Sequence, residues 1–359
     1  MSYWAPFALT GVTATLLLLP VTPALYELRK RRDAAPLPTT RHDGRITNFA
    51  EAFQSRLQPL LPQLEKCRDK HELLRTHIDG MEVLLACSHD FNFDPDAMKG
   101  VDAVMCGEAA RVPAGRVVEA DVYADSSLEL GEGAALRAAL GARDIILGEN
   151  SAVLRWLHAR GNIYLRQRSA AYGRLSAGQS ISLEKGSGFQ RMHAPQIFTV
   201  DLNSHGSGLI ASKAHVCQSE TGNRKERDDL FASRERIRVQ GNFVLPTRAS
   251  LNANVIATGE MRIGPGARFF GNAKSYKDTV VEADACVHGS LVCGGTLRLG
   301  PRSYVAGPVM AQGDVLMDAG SCVGGPDALT TMSSSGVKIA AGCRLHGTVW
   351  ARVQGNVEN

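Results

Sequence analysis

Apolar residues recur at every sixth position over most of the chain, from Val112 to the C-terminal region. Read in steps of six, the apolar or small positions include Ile263, Phe269, Ser275, Val281, Val287, Cys293, Leu299, Val305, Ala311, Met317 and Val323. Three such units make a longer period, as seen in Leu147, Leu165 and Leu183. That period starts at 112, 130, 147, 165, 183, 245, 263, 281, 299, 317 and 339. The coil from 130 to 147 lacks a residue, and two longer breaks follow. This pattern predicts an all-β fold, a parallel β-helix of about eleven coils, with one strand of each coil on each of three faces.

The three strands of each predicted coil have different patterns. In the first, the large residue is followed four places later by a small one, at Ala134, Ser151, Ser169, Ser187, Ala249, Ala267, Ala285, Ser303, Ser321 and Cys343. The second strand is apolar at both positions, and the third inverts the first. Because a narrow core at native density needs small side chains opposite large ones, all these positions are expected to point inward. The general preference for right-handed crossovers predicts a right-handed helix.

The repeat divides the chain into parts. Residues 112–201 form the first part of the β-helix, 202–238 a charged insertion, and 239–359 the second part. Five basic and five acidic residues between Glu220 and Arg236 predict a solvated arm. Near the end, four extra residues are expected to bulge out around the sequence TTMSSSG, between Val323 and Ile339.

Residues 46–111 precede the repeat and are expected to form a helical and short-strand pre-domain that caps it. An apolar stripe predicts a helix, interrupted by Pro59 and Pro62, at Phe49, Phe53, Leu57, Leu60, Leu61 and Leu64. That helix is expected to pack on the body of the protein. The alternative is a helix that binds a partner or a membrane surface. Short strands are expected within 81–106.

The N-terminal segment from Trp4 to Tyr26 contains no charged residue, which predicts a transmembrane anchor over residues 1–28. Trp4 and Tyr26 lie where interfacial aromatic residues are expected. A basic and Pro-containing linker follows over 29–45, and its block of Arg29, Lys30, Arg31 and Arg32 is expected to lie near anionic lipid.

The position of the basic block predicts the topology. Positive charge follows the apolar segment rather than preceding it, which favours an anchor over a cleaved signal peptide. An interfacial or re-entrant segment is a further alternative. The positive-inside rule then predicts a single-pass protein of the bacterial inner membrane, with its N-terminus outside and its β-helix in the cytoplasm.

Composition narrows the function classes. The chain has 359 residues, of which 44% are hydrophobic, so it can bury a large core. Its eight cysteines form no CxxC pair, which fits a reducing compartment. The basic block alone accounts for the formal net charge of +4. A nucleic-acid partner is therefore not expected, because such a protein spreads basic charge over a face.

The coil sequence resembles the bactofilins, a family of bacterial polymer-forming cytoskeletal proteins. The residues that carry the resemblance are Ile263, Gly264, Ala267, Phe269 and Gly271, then Val281, Ala285, Val287, Gly289 and Leu291, then Leu299, Gly300, Ser303, Val305, Gly307 and Val309. It covers roughly residues 112–355. The resemblance implies a right-handed β-helix without cofactor or catalysis that self-associates through its coil ends. It also implies a membrane-attached scaffold for envelope or exopolysaccharide-synthesis machinery. The pre-domain and the insertion depart from the family pattern.

The competing interpretation is a left-handed β-helix acyltransferase acting on an envelope or polysaccharide precursor, since these enzymes share the six-residue unit. Its candidate general bases are His205 and His215 in the insertion. His193 is expected to point inward as a core histidine. The register separates Cys286 from Cys293, and neither a phosphate loop nor an HExxH pair is present. We therefore predict no catalytic residue, metal or cofactor.

Two surfaces are candidates for interaction. Outward positions predict a partner face that contains Leu154, Tyr172, Phe270 and His288. Only nine residues follow Trp350, which predicts an open C-terminal coil. An open coil exposes unpaired strand edges. Self-association into a dimer or limited oligomer is therefore expected at an end formed by Leu345, Val349, Trp350 and Ala351.

Overall fold

The computed structural model describes residues 4–22, 26, 45–70, 72–87, 91–200 and 235–358. It divides into two compact units, Met1–Arg45 and Ile46–Asn359. In the first unit, helix α1 spans Trp4–Leu18 and a 3₁₀ turn spans Leu19–Val21. Pro20 ends the α-helical hydrogen bonding there. Among the described residues, no helix combines the length and apolar character needed to cross a bilayer, so the predicted transmembrane helix is not found.

The described residues of the second unit form three short helices and thirty strands. The helices are α2 (Asn48–Leu57), α3 (Leu61–Lys70), joined to α2 by a 3₁₀ turn at Gln58–Leu60, and α4 (Pro95–Met98). The strands before residue 200 are β1 (Leu73–Ile78), β2 (Met81–Ala86), β3 (Ala103–Cys106), β4 (Ala110–Val112), β5 (Val117–Ala124), β6 (Leu128–Leu130), β7 (Ala135–Gly141), β8 (Ile145–Leu147), β9 (Ala152–Ala159), β10 (Ile163–Leu165), β11 (Ala170–Ala177), β12 (Ser180–Leu183) and β13 (Gly188–Thr199).

The strands after residue 235 complete the fold. They are β14 (Arg236–Val239), β15 (Phe243–Leu245), β16 (Ser250–Leu251), β17 (Asn254–Ala257), β18 (Met261–Ile263), β19 (Arg268–Phe269), β20 (Ala273–Ser275), β21 (Thr279–Val281), β22 (Cys286–Val287), β23 (Leu291–Cys293), β24 (Leu297–Leu299), β25 (Tyr304–Val305), β26 (Val309–Ala311), β27 (Val315–Met317), β28 (Cys322–Val323), β29 (Thr330–Ile339) and β30 (Arg344–Val357).

These strands form a β-solenoid of about 13 turns in which most neighbouring strands are parallel. The predicted register of the column that starts each coil is confirmed. Leu147, Leu165 and Leu183 stack in register, and Leu130 pairs with Leu147 across the short coil. The inward columns of both parts form one apolar core. The small positions also lie inside, and Ser151, Ser169 and Ser187 donate their hydroxyls to backbone carbonyls three residues earlier.

The solenoid consists of two sections that run toward each other. Section one comprises β2–β13 and section two comprises β14–β30. The last strand of section one, β13, pairs antiparallel with the last strand of section two, β30, placing Met192 opposite Val349 and Ile197 opposite Leu345. We call this contact the seam. The second part of the repeat therefore does not continue the first in the same direction, because the two sections meet tail to tail.

The reversal changes which residues share a face. The helix face comprises β2, β3, β14, β17, β20, β23, β26, the start of β29, the ends of β5, β7, β9 and β11, and the middles of β13 and β30. Face one comprises β4, β6, β8, β10, β12, β16, β19, β22, β25, β28, the end of β13 and the start of β30. Face two comprises β15, β18, β21, β24, β27, the starts of β5, β7, β9, β11 and β13, and the ends of β29 and β30. The column that ends at Leu183 and the column that ends at Ile339 occupy the same position of the sequence repeat. The first nevertheless lies on face one and the second on face two.

The extra residues near the C-terminal end lie elsewhere than expected. The sequence TTMSSSG is part of the continuous strand β29, and Met332 pairs in register with Val309. The additional length forms the turn before it, where Gly325 and Ala328 make an isolated bridge. The predicted bulge around TTMSSSG is therefore wrong. The predicted insertion also ends earlier, since β14 already pairs with β17 from Arg236.

Residues 46–106 lie at one end and along one side of section one. Strand β1 pairs antiparallel with β2, and β2 pairs with β3. Phe93 is buried in the solenoid core and its ring lies 4.7 Å from that of Phe91. Helices α2 and α3 lie on the outside of the helix face, and Pro59 and Pro62 fall in the 3₁₀ turn and the first turn of α3.

Glycines serve two purposes in the coil: some adopt a left-handed backbone, and others allow neighbouring coils to approach closely. The residue three places after each inward residue of the column through Leu245 and Ile263 has a left-handed backbone, as at Gly266 (φ 63°). A Cβ at Gly266 meets only the Cγ of Arg248, at 3.4 Å. At Gly271 the backbone of the neighbouring coil is so close that a Cβ would overlap the Ala253 carbonyl oxygen. Gly266 thus avoids the cost of a left-handed backbone, which Arg248 and Arg302 bear at equivalent positions, whereas Gly271 is required for space.

Alanine substitutions at these two glycines should separate the effects. Gly266→Ala is expected to cost about 1 kcal/mol, the penalty of a left-handed L-residue. Gly271→Ala is expected to cost more, about 3 kcal/mol, because the carbonyl oxygen it meets belongs to a hydrogen-bonded backbone. Thermal unfolding followed by circular dichroism measures the difference. Equal melting temperatures for the two variants would contradict this account of the turns.

Candidate interaction surfaces

The C-terminal coil pairs with section one of the same chain, through β30 and β13. Leu345, Val349 and Ala351 are buried at the seam against section one. Trp350 points outward and is 45% exposed, with the Arg191 guanidinium 5.2 Å from its ring centre. The expected open end at these four residues is therefore wrong, because β13 already satisfies the edge of β30.

An open coil end is present instead at the start of section two. Within the part of the chain that the structure describes, β14, β15 and β16 each pair along one edge only, with β17, β18 and β19. Leu245 is buried in this coil, but its other inward residues are only half-buried, namely Ile237, Val239, Phe243, Ala249 and Leu251. One coil further in, Val255, Ile263 and Phe269 are completely buried. The end of section two therefore has both unpaired backbone groups and accessible apolar side chains.

The opposite end, at the start of section one, is covered. Phe93 and Val101 are buried against the first coil, and Phe91 and Met98 pack partly against them. Strand β4 ends at Val112, which is fully buried. The two ends of the solenoid thus differ in how much of their core is accessible.

The predicted partner face is divided by the chain reversal. Leu154 and Tyr172, each more than half exposed, follow inward residues of face two. Phe270 and His288 follow inward residues of face one, and their rings stack with a centroid distance of 4.5 Å. These four residues form two separate patches, so the expectation of one common face is wrong.

Two histidine–hydroxyl pairs lie on the helix face near the seam. His158 Nδ1 is 2.7 Å from Ser176 Oγ, and His193 Nδ1 is 2.9 Å from Thr348 Oγ1. Burial lowers the pKa of both imidazoles, and Arg191 lowers that of His193 further. His193 alternates with the buried Met192 and Ala194, so it points outward and its expected inward position is wrong.

The other histidines and the cysteines are the remaining candidates for catalysis or metal binding. His346 Nδ1 donates to the Pro195 carbonyl at 2.9 Å, and desolvation lowers its pKa. His205 and His215, the proposed acyltransferase bases, lie outside the described residues. No group of three possible metal ligands occurs among the described residues. The cysteines that the structure describes are free thiols, and burial raises the pKa of Cys106 to about 12.

A single column of outward side chains runs along the helix face through the seam. Its members, each paired in register with the next, are Arg238, Ile256, Lys274, Val292, Met310, Ser333, Trp350, Arg191, Arg174, Trp156 and Ala138. The sequence repeat does not predict this column, because the chain direction reverses at the seam and the column continues across it. The apolar outward residues Val292 and Met310, one coil apart, were the available signal.

The structure describes only some of the residues that the sequence predicts to lie near a membrane. Trp4 and Tyr26 are 80% and 50% exposed. Arg29, Lys30, Arg31 and Arg32 lie outside the described residues.

Comparison with known proteins gives no relative, since no family model, curated protein or solved structure matches the chain. The bactofilin resemblance therefore stays a prediction.

The buried histidines at the seam predict how stability depends on pH. Because the folded state lowers the pKa of His193 and His346 below 6.5, the unfolded chain binds more protons once the pH falls below that value. The melting temperature is therefore expected to fall between pH 7.5 and pH 5.5. A His193→Gln, His346→Gln double variant should show a smaller decrease. A decrease of equal size in the wild type and the double variant would contradict this assignment.

Proposed function

We propose that this protein is a bactofilin-like, membrane-anchored scaffold that self-associates through the open coil end formed by β14, β15 and β16. The observation that carries the proposal is the single unpaired edge of these three strands among the described residues. Unpaired strand edges with accessible apolar side chains are templates for pairing with another chain. The right-handed coil, the anchor and the absence of catalysis are parts of the same proposal, and they rest on the sequence.

The backbone of β14 is oriented for such pairing. The carbonyls of Glu235 and Val239 accept hydrogen bonds from Asn254 and Thr258 of the next coil. Because backbone groups alternate along a strand, those of Arg236 and Arg238 point toward the open edge. The seam gives a precedent within this molecule, since two coil ends of the same repeat already pair there antiparallel.

The geometry favours a closed dimer over a filament. Section one begins with a covered coil, and the ends of both sections at the seam are occupied, so one pairing end is left among the described residues. Two copies that join through the same end are related by a two-fold axis, and such an interface closes on itself. The outward side chains of β14 are arginines, so this pairing brings Arg236 and Arg238 close to their counterparts. Like charges opposite each other weaken the contact, and salt screens that repulsion.

The proposed location follows from the N-terminal sequence. The uncharged segment Trp4–Tyr26 would hold the protein to the bacterial inner membrane, and the basic block Arg29–Arg32 would keep the solenoid on the cytoplasmic side. The proteins organised there would be envelope or exopolysaccharide-synthesis proteins, as the resemblance implies.

Two substitutions at one position test the pairing end. Arg238→Pro removes an N–H donor at the open edge without removing a hydrogen bond to β17, so it is expected to give a monomer. Arg238→Thr removes the repulsion and keeps the donor, so it is expected to strengthen the dimer. Analytical ultracentrifugation in low and high salt measures both, and the wild-type dimer should tighten as salt rises. Identical association of the proline and threonine variants would overturn the proposed end-pairing.

Protease accessibility tests the proposed topology. In spheroplasts, protease added outside should leave the solenoid intact, whereas detergent permeabilisation should expose it. Replacing all four basic residues of Arg29–Arg32 with glutamine should weaken this orientation, because the positive charge that retains the cytoplasmic side is lost. Digestion of the wild-type solenoid in intact spheroplasts would contradict the proposed location.

A further inference from the structure

Among the described residues, the helix face of the solenoid is covered in section one and uncovered in section two. Over section one, α2, α3 and the 3₁₀ turn between them bury apolar side chains against outward residues of the strands, namely Phe53, Leu57, Leu60 and Leu64. The Phe53 ring meets the Trp156 ring edge-on at 5.3 Å. The outer surface of this solenoid therefore accepts the apolar stripe of an amphipathic helix, and the chain itself supplies one over half of the face.

The uncovered half presents a similar kind of surface. Its outward column includes Val292, Met310 and Trp350, which are 38%, 47% and 45% exposed. A shallow groove of about 380 Å³ runs beside this column, lined by Arg236, Asn254, Ile256, Lys274, Ser290 and Val292. Tyr276 borders the face, and the Lys274 ammonium lies 4.8 Å from its ring centre.

The two halves of the face meet without interruption. Trp350 of section two pairs with Arg191, which pairs with Arg174, which pairs with Trp156 under α2. The Arg174 guanidinium lies 3.9 Å from the ring centre of Phe49, at the N-terminal end of α2. Packed helices stand about 10 Å above the layer they cover. The uncovered strands therefore lie about one helix diameter below the outer surface of α2 and α3. We call this lower surface, from Ile256 to Trp350, the floor, and it begins beside the N-terminal end of α2.

This floor carries positive charge. The outward column from Arg238 to Arg191 contains three cationic side chains, those two arginines and Lys274, and no carboxylate. The neighbouring carboxylates of Asp278 and Asp314 lie in the turns that leave the face, and each accepts a backbone N–H at 2.8 Å. A ligand for this floor should thus combine apolar side chains with acidic ones.

We propose that the uncovered helix face of section two binds an amphipathic α-helix of a partner protein whose apolar stripe is flanked by acidic residues. The floor from Ile256 to Trp350 crosses five strand spacings, or about 24 Å, which a helix of about 16 residues spans. Such a helix would extend the layer begun by α2 and α3. A membrane is a poorer fit, because the helices hold a flat bilayer away from a recessed floor. This proposal specifies how the proposed scaffold holds a partner, and it rests on that function.

A designed peptide tests the site on the full-length protein. The probe is a fluorescent peptide of about 18 residues with Leu and Phe on one helical stripe and Glu on both flanks. A matched peptide carries Lys in place of Glu. Fluorescence anisotropy should show the acidic peptide binding at least about tenfold more tightly than the basic one, with weaker binding as salt rises. Equal binding of the two peptides, or no binding of either, would overturn the proposal.

Substitutions on the floor locate the binding. A Val292→Asp, Met310→Asp double variant changes only outward, exposed side chains, so the fold should persist while peptide affinity falls about tenfold or more. Val117→Asp introduces the same kind of change at a 65% exposed site of β5 and should leave binding unchanged. Equal loss in both variants would overturn the site.

Two further outcomes separate this proposal from its alternatives. Loss of binding to anionic phosphatidylglycerol vesicles in the double variant, without any peptide binding by the wild type, would assign the floor to a membrane instead. A protein that binds the acidic peptide but stays monomeric would contradict the end-pairing of the proposed function and leave the docking site standing. A dimer that does not bind the peptide would do the reverse.

Discussion

The strand edges at the coil ends of this solenoid need hydrogen-bonding partners, and the way that need is met determines the arrangement of the whole fold. A coil pairs with its neighbours through backbone N–H and C=O groups, so each section of a solenoid has two ends that stay unsatisfied. Here the last coils of the two sections satisfy each other across the seam between β13 and β30. The antiparallel β1 and the residues around Phe93 cover a third end. The edges of β14, β15 and β16 are what the described chain leaves over.

Side-chain size determines the register within each section, and that is why the sequence predicts it well. A narrow core admits a large residue only opposite a small one, so Ile263 and Ala267 cannot exchange roles without a clash or a cavity. The regular steps through Leu147, Leu165 and Leu183 follow directly. Even the short coil could be located in advance, since the missing residue shifts the apolar pattern by one position.

The reversal between the sections could not be read from the same pattern. A two-fold rotation perpendicular to the solenoid axis preserves both the inward–outward alternation and the handedness of the coil. A second section that runs antiparallel to the first therefore has the same sequence periodicity as one that extends the first in the same direction. Chain length does not decide the matter either, since residues 201–234, at about 3.3 Å each, are long enough for both connections. The predicted open C-terminal coil and the common partner face failed for this reason. The inward His193 failed for another, since Met192 follows Phe189 by one residue fewer than Leu175 follows Ala171.

The pseudo-symmetry of the two sections also shows where they differ, and the difference lies outside the core. Both sections place apolar side chains outward on the helix face, at Leu140 and Trp156 in one and at Val292 and Met310 in the other. A chain that needed only a stable solenoid gains nothing from exposed apolar residues at these positions of section two, because the cores beneath are already closed. In section one the same feature is explained by α2 and α3, which bury it. The proposed docking helix would remove this asymmetry between a covered and an uncovered half of the described chain, and the cationic side chains of the uncovered half are the reason for its acidic flanks.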